Sequence, residues 1–482
     1  MKKLLMIAVT GLLLAGCGEG KRELTEAELS TFGTYVNDLD STIQGKWFTR
    51  MGVSEDADSM LAYLRRELPR NGLDTSAFFV PQIAEDLAIV RSLAFDSVGQ
   101  NINELLPRLD DNLTKAYIDY TTGQRYGFVR PDKVFNRLQM TPDSNGYVRL
   151  FDYDVEGPDD EEAEMKVSSD DRMAFLYSSQ PTGHVYKTLQ NKLAQTKDKE
   201  ECTRLAVNME RCRWRLKHPD ENERMVLVNI PSQQLWAVCP DSVLNMRICC
   251  GATATKSPLL NSVISYMQVN PEWIIPQKIV NTDIARHAGD TSYFKRNCYF
   301  ITERSSGDTL TAANVTSSQL SSGKLRVGQR SGAGNSLGRI VFRFTNNFSV
   351  YLHDTNNKGA FKRDRRTLSH GCIRVEKPFE LACFLLTDAD DWLKDKIRIS
   401  MDLPPETDQG KDYLEEHADD DKPYRLVSYK EVSPKVPVYL VYYTAYPNPE
   451  TGFVETWPDL YGYDKVIVKE MEPYLPSVAK QE

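Results

Sequence analysis

The stretch that decides the reading is Tyr351-Leu352-His353-Asp354, then fourteen residues of loop, then Ser369-His370-Gly371-Cys372-Ile373-Arg374-Val375. One histidine lies nineteen positions before the cysteine, and a second lies two before it. A thiol becomes a good nucleophile when a neighbouring imidazole takes its proton and holds the thiolate. Gly371 lets the backbone fold close to the reacting atom, where N–H groups can face a developing oxyanion. The flanks, residues 349–352 and 373–375, read as strand and should hold the pair on a rigid frame. Taken bare, the same residues also fit a core thiol and a satisfied histidine at a strand end. His353 and His370 both remain candidates for the base.

A chain of 482 residues is too long for one ordinary core, so two or three domains are expected. Its 41% apolar and 26% charged residues are those of a soluble globular body. The net charge of −9 argues against nucleic acid as a partner, because no basic excess would neutralise phosphates. The N-terminus reads as a targeting segment: Lys2 and Lys3, then an apolar run over residues 4–14, too short to span a bilayer. Leu14-Ala15-Gly16-Cys17 resembles a bacterial lipobox, in which Cys17 would become the acylated first residue of the mature protein. The expectation is a signal segment over residues 1–17 and an exported body held to a membrane by an N-terminal lipid anchor. Of nine cysteines, Cys17 and Cys372 are set aside, and seven remain. Spacing alone assigns no disulfide among them. Cys249 and Cys250 should be packed thiols, and without CxxC no structural zinc site is expected.

An α+β chain is expected, with a helical scaffold domain over residues 25–220. Residues 56–68 place Met60, Leu61, Tyr63, Leu64 and Leu68 on one helical face, with Pro69 and Asn71-Gly72 as stops. Residues 81–95 and 107–120 read as helices that open on a proline. Residues 152–171 read as a solvated acidic loop, and 183–197 and 201–217 as helices. At 224 the texture turns to strand. Residues 225–230 and 235–239 form a hairpin signature, opening a β-rich domain over 224–403 with a few helices. Within it, residues 303–337 are rich in Ser, Thr, Gly and Asn and read as a lid-like loop bordering the site. Pro378 should open a helix reaching 393, with Cys383 in the core. A C-terminal extension over 404–482 holds a strand from 436 that returns to the sheet, then a tail.

His353 with Ser369-His370-Gly371-Cys372 resembles the signature of L,D-transpeptidases with the YkuD-type catalytic domain. Tyr351 to Thr355, Phe361-Lys362-Arg363-Asp364, Val375 after Arg374, the 269–276 segment and Ser336-Leu337-Gly338 look like the large periplasmic branch. The helix around Leu205, the strand from Val436 and Asp459-Leu460-Tyr461-Gly462-Tyr463 extend the likeness over most of residues 30–465. Many members carry Asn two residues after the cysteine, and here Arg374 stands there. The separate glycan-binding module of that branch has no clear counterpart.

The resemblance implies an acyltransferase on peptidoglycan stem peptides that needs no metal or organic cofactor. Cys372 would attack the carbonyl of the third stem residue, expel the terminal D-Ala, and pass the acyl group to a side-chain amine as a 3→3 crosslink. His353 matches the family's base. Backbone N–H groups at Gly371 and Cys372, with Tyr351, would bind the oxyanion. His370 would brace the loop, since similar proteins can carry Ser there. Arg374 and Ser369 are candidates for holding substrate. The same Cys–His site would also serve a carboxypeptidase or endopeptidase, and the scaffold and anchor alone would serve an idle wall-binding lipoprotein.

Overall fold

The computed structural model describes residues 35, 38–50, 52–136, 138, 150–153, 155–214, 224–418 and 425–476. The signal segment, Cys17 and residues 215–217 of the expected helix lie outside the described residues. The chain divides into two compact units: Met1–Phe128, Gly157–Arg213 and Glu470–Glu482 form one, and Val129–Glu156 with Trp214–Lys469 form the other. The boundary expected at 220 is therefore too simple. Phe151 and Asp152 pair in parallel with Leu259 and Leu260, which ties their stretch to the sheet. Tyr474 packs on Phe78 and Phe128, which ties the C-terminal stretch to the helices.

The first unit is helical. Its main helices are α1 (Glu55–Arg70), α2 (Val80–Ser92), α3 (Ile102–Tyr126), α4 (His184–Gln195) and α5 (Lys199–Arg213). Ser54 caps α1 by accepting from Asp56 N, and Met60, Leu61, Tyr63, Leu64 and Leu68 are its buried face. Helix α3 starts at the Asn101 cap, so Pro107 lies inside it and not at its first position. The acidic run expected to be loop contains a helix, Asp160–Lys166, because Asp159 caps it and three acids fill its first turn.

A buried polar centre of this unit is Arg213, fully buried at the end of α5. It meets Glu210 at 3.2 Å, and its N–H groups donate to Gln124 Oε1, Asn71 O and Tyr186 Oη at 3.1–3.2 Å. A buried charge met on every side stabilises, but removing one partner leaves the rest desolvated and unpaired. Arg213→Ala is expected to cost about 3–5 kcal/mol. Chemical denaturation of the full chain checks this; a loss under 1 kcal/mol would show that water reaches the site.

The second unit is built on a closed sheet. Its strands include β1 (Phe151–Asp152), β2 (Met225–Asn229), β3 (Gln234–Cys239), β4 (Ser242–Gly251) and β5 (Leu259–Val269). After an insert with strands β6 (Trp273–Ile274), β7 (Tyr299–Glu303), β8 (Thr309–Leu310) and β9 (Leu325–Gln329), they continue. Next come β10 (Ile340–Phe344), β11 (Leu352–His353), β12 (Thr367–Ser369), β13 (Ile373–Val375) and β14 (Tyr429–Val441). The order is β10-β11-β13-β4-β3-β2-β14-β5, and β5 pairs back onto β10, so the sheet closes on itself. Closure removes the two exposed edges an open sheet would carry. The expected hairpin is β2–β3, and the expected returning strand is β14, seated between β2 and β5. Val226-Leu227-Val228 are all buried, the mark of a strand covered on both faces.

Residues 303–337, expected as a lid-like loop, are mostly folded. They belong to an insert between β5 and β10, with the antiparallel order β8-β7-β9-β6 and a core that includes Ile275, Ile284, Phe294, Ile301, Leu320 and Val327. The polar composition misled because short elements around a small core need few apolar residues. The helix expected from Pro378 to 393 is two, α6 (Pro378–Leu385) and α7 (Asp391–Ser400), and Cys383 is half-buried rather than core. The eight described cysteines are not in disulfides, and Cys249 and Cys250 are fully buried on β4. Among the described residues no helix is long and apolar enough to cross a membrane.

Candidate active site

Strand β11 sits between β10 and β13. Val341 opposes His353 on the antiparallel side, and Arg374 opposes His353 on the parallel side. Side chains alternate along a strand, so Tyr351 and His353 share a face, as do Cys372 and Arg374. All four line one cavity of about 430 Å³, while Leu352, Ile373 and Val375 point the other way and are buried.

The turn before the cysteine is held from several sides. Gly371 has φ +119°, a backbone state that favours glycine. Ser369 Oγ donates to Cys372 O at 2.5 Å and accepts from Gly371 N at 3.1 Å. Ser257 Oγ donates to Gly371 O at 2.7 Å, and Tyr461 Oη donates to Gly251 O at 2.7 Å behind it. Two expectations change. Ser369, 3% exposed, spends its hydroxyl on the turn and has none for substrate. Gly371 N–H is taken by Ser369, so it is not available to an oxyanion.

His353 is 5% exposed, and its Nδ1 donates to Asp354 O. That bond fixes the neutral tautomer whose Nε2 carries a lone pair. Asp354 is itself placed: its carboxylate accepts from Arg339 N at 2.8 Å and pairs with Lys358. Gly338, with φ +65°, passes so close that an added Cβ would stand 2.4 Å from the Asp354 carboxyl. Burial, and then the charge of Arg374, push the His353 imidazole down to about 3, against the pull of the Asp354 and Leu337 carbonyls. Burial pushes the Cys372 thiol up to about 11, against the Tyr351 backbone N–H, the Tyr351 hydroxyl, Arg343 and Arg374. Cys372 Sγ lies 3.9 Å from Ser349 O. Tyr351 therefore faces the sulfur, with the Arg343 guanidinium 4.3 Å over its ring and its own ring edge-on to His353 at 5.7 Å.

His370 lines the same cavity but has a partner of its own. Its Nε2 lies 3.3 Å from Asp283 of the insert, with both side chains nearly half exposed. Arg374 lines the cavity, and its buried Nε has no hydrogen-bond partner. Sequence reading missed Lys256, Lys278 and Phe348 on the wall, and Ser257 and Asp354 behind it. A charged residue directly after His353 was the one available signal for Asp354. Nothing in the 251–258 turn announced Ser257 or Lys256. Among the described residues no group of three His, Cys, Asp or Glu is placed to hold a metal ion.

At rest the cavity holds a neutral thiol and a neutral imidazole. A thiol with a raised value stays protonated below it, so the thiolate fraction grows about tenfold per pH unit up to about 11. Alkylation of Cys372 by iodoacetamide, followed by peptide mass, is expected to climb in that proportion from pH 7 to 10. A plateau near pH 7 would mean a thiolate–imidazolium pair instead.

Residues 223–399 match the YkuD family, described as the L,D-transpeptidase catalytic domain, and residues 42–193 match a scaffold domain. The chain is 28% identical over 373 residues to a Haemophilus influenzae protein named "Putative L,D-transpeptidase", covering 73% of this chain and 69% of that one. Residues of the β-rich unit thus match the YkuD L,D-transpeptidase catalytic domain, and a match to a scaffold domain precedes them in the chain.

Proposed function

We propose that the protein is a cysteine acyltransferase that joins peptidoglycan stem peptides by 3→3 crosslinks. The observation that carries the reading is the shared cavity face of His353 and Cys372, with His353 held as the tautomer that can accept a proton. As the donor carbonyl approaches, Cys372 Sγ attacks it and passes its proton to His353 Nε2. The resulting oxyanion is met by the N–H of Cys372, which no described residue takes up. The imidazolium then protonates the leaving amine of D-Ala, and a thioester remains. A side-chain amine of a second stem attacks that thioester, His353 takes the amine proton, and the thiol returns.

The resting neutral pair supports this sequence. It keeps the sulfur unreactive toward water and small electrophiles until a substrate desolvates the site. Tyr351 stands beside the sulfur and steadies the thiolate as it forms, a different place from the oxyanion role expected of it. His370 braces the turn through Asp283. In this reading the N-terminal apolar run and Cys17 support export of the enzyme to the cell envelope and a lipid anchor there.

Incubation with a tetrapeptide stem should give a thioester adduct on Cys372 and a crosslinked dimer. Cys372→Ala should give neither, and His353→Ala should slow acylation by about 10²–10⁴-fold. Tripeptide without dimer would sink the transferase reading in favour of the hydrolase. A failure of any acylating reagent to add mass at Cys372 of folded protein would sink the enzyme.

A further inference from the structure

The cavity holds cations and, among the described residues that line it, no Asp or Glu. Lys256 enters from the turn after β4, Lys278 from the insert and Arg374 from β13. This is a local inversion in a chain whose net charge is −9. Lys256 Nζ donates to the Thr253 carbonyl at 2.9 Å and stands 5.8 Å over the Tyr461 ring, both neutral groups. Arg374 adds a buried Nε without an acceptor. A cleft lined by one sign of charge focuses its field and favours the entry of the opposite charge. Such donors also bind a carboxylate far better than an amide, because charge-assisted bonds are about twice as strong as neutral ones.

Two of these cations lie on elements that carry neither His353 nor Cys372. Arg374 cannot be separated from the pair, since it acts on both members of it. Lys256 and Lys278 stand where they can meet parts of a ligand that do not react. A wall of this kind suits an acidic peptide, whose carboxylates flank the amide under attack.

We propose that Lys256 and Lys278 are specificity residues that read free side carboxylates on the acyl donor, so that the protein prefers an acidic peptide to the same peptide in amidated form. The proposal rests on the transpeptidase reading and names the donor class of the same site. It also predicts a salt dependence, because contacts to partly exposed cations weaken as ionic strength rises.

The test uses the full chain and two synthetic tetrapeptides, identical except that the carboxylates of their second and third residues are free or amidated. Acylation of Cys372 is followed by intact mass, and kcat and KM are measured separately. The free donor is expected to be favoured about tenfold or more in kcat/KM, mostly through KM, with the ratio shrinking in high salt. Lys256→Met and Lys278→Met should each draw the ratio toward one by weakening the free donor, and Lys256→Arg should keep it. Equal use of both donors by the unaltered protein would overturn the proposal, as would a ratio that survives in the double Met variant. If neither donor acylates Cys372, the transpeptidase reading itself falls, and the proposal with it.

Discussion

The site depends on one parallel strand pair, His353 of β11 against Arg374 of β13. Parallel neighbours cannot be joined by a tight hairpin, so the chain must cross over between them. The crossover is the residue 354–372 stretch, and it is not slack. Phe361 and Ala360 are buried with Cys249, and the Arg366 guanidinium donates to the carbonyls of Ile248 and Gln233 at 2.9–3.0 Å. Once that loop is fixed, strand alternation does the rest: Tyr351 and His353 turn to the cavity from one strand, Cys372 and Arg374 from the other. A one-residue slip in either strand would send its pair of functional side chains to the opposite face.

Electrostatics then sets how the pair works. Arg374 lowers both the thiol and the imidazole. A cation next to both groups stabilises the thiolate and destabilises the imidazolium, so its effect on proton transfer between them largely cancels. Burial acts on both in the same neutralising sense, raising the thiol and lowering the imidazole. The charge transfer therefore waits for a substrate whose own developing charge can be met. The positive wall matters most for what it binds, which is why the orphaned Arg374 Nε and the two lysines read better as ligand contacts than as activators of sulfur.

Much of this was legible in the chain. Periodicity located α1, α4 and α5, and the shift to alternating strand texture at 224 located the hairpin β2–β3. His353 and Cys372 line one cavity, and both border strands. What failed did so for stated physical reasons. Residues 303–337 looked like loop because a small insert closes its core with few apolar side chains. Ser369 looked like a ligand contact because a hydroxyl beside a nucleophile suits either role, and only the fold shows it turned inward on Gly371 and Cys372. Sheet closure was invisible, since pairing of β5 with β10 across the insert leaves no local signature.

The C-terminal extension changes what counts as the catalytic unit. The family match ends at residue 399, yet the ring of strands is incomplete there. Strand β14 fills the gap between β2 and β5, and without it both would expose unpaired backbone. Tyr461, further on, donates to Gly251 O and accepts from Ser257 N, and Ser257 in turn holds the Gly371 carbonyl. The turn that presents the cysteine is thus supported by a side chain 89 positions beyond it. The C-terminal segment supplies one strand of the sheet and the support behind the Gly371 turn, so the working domain ends well after the matched one.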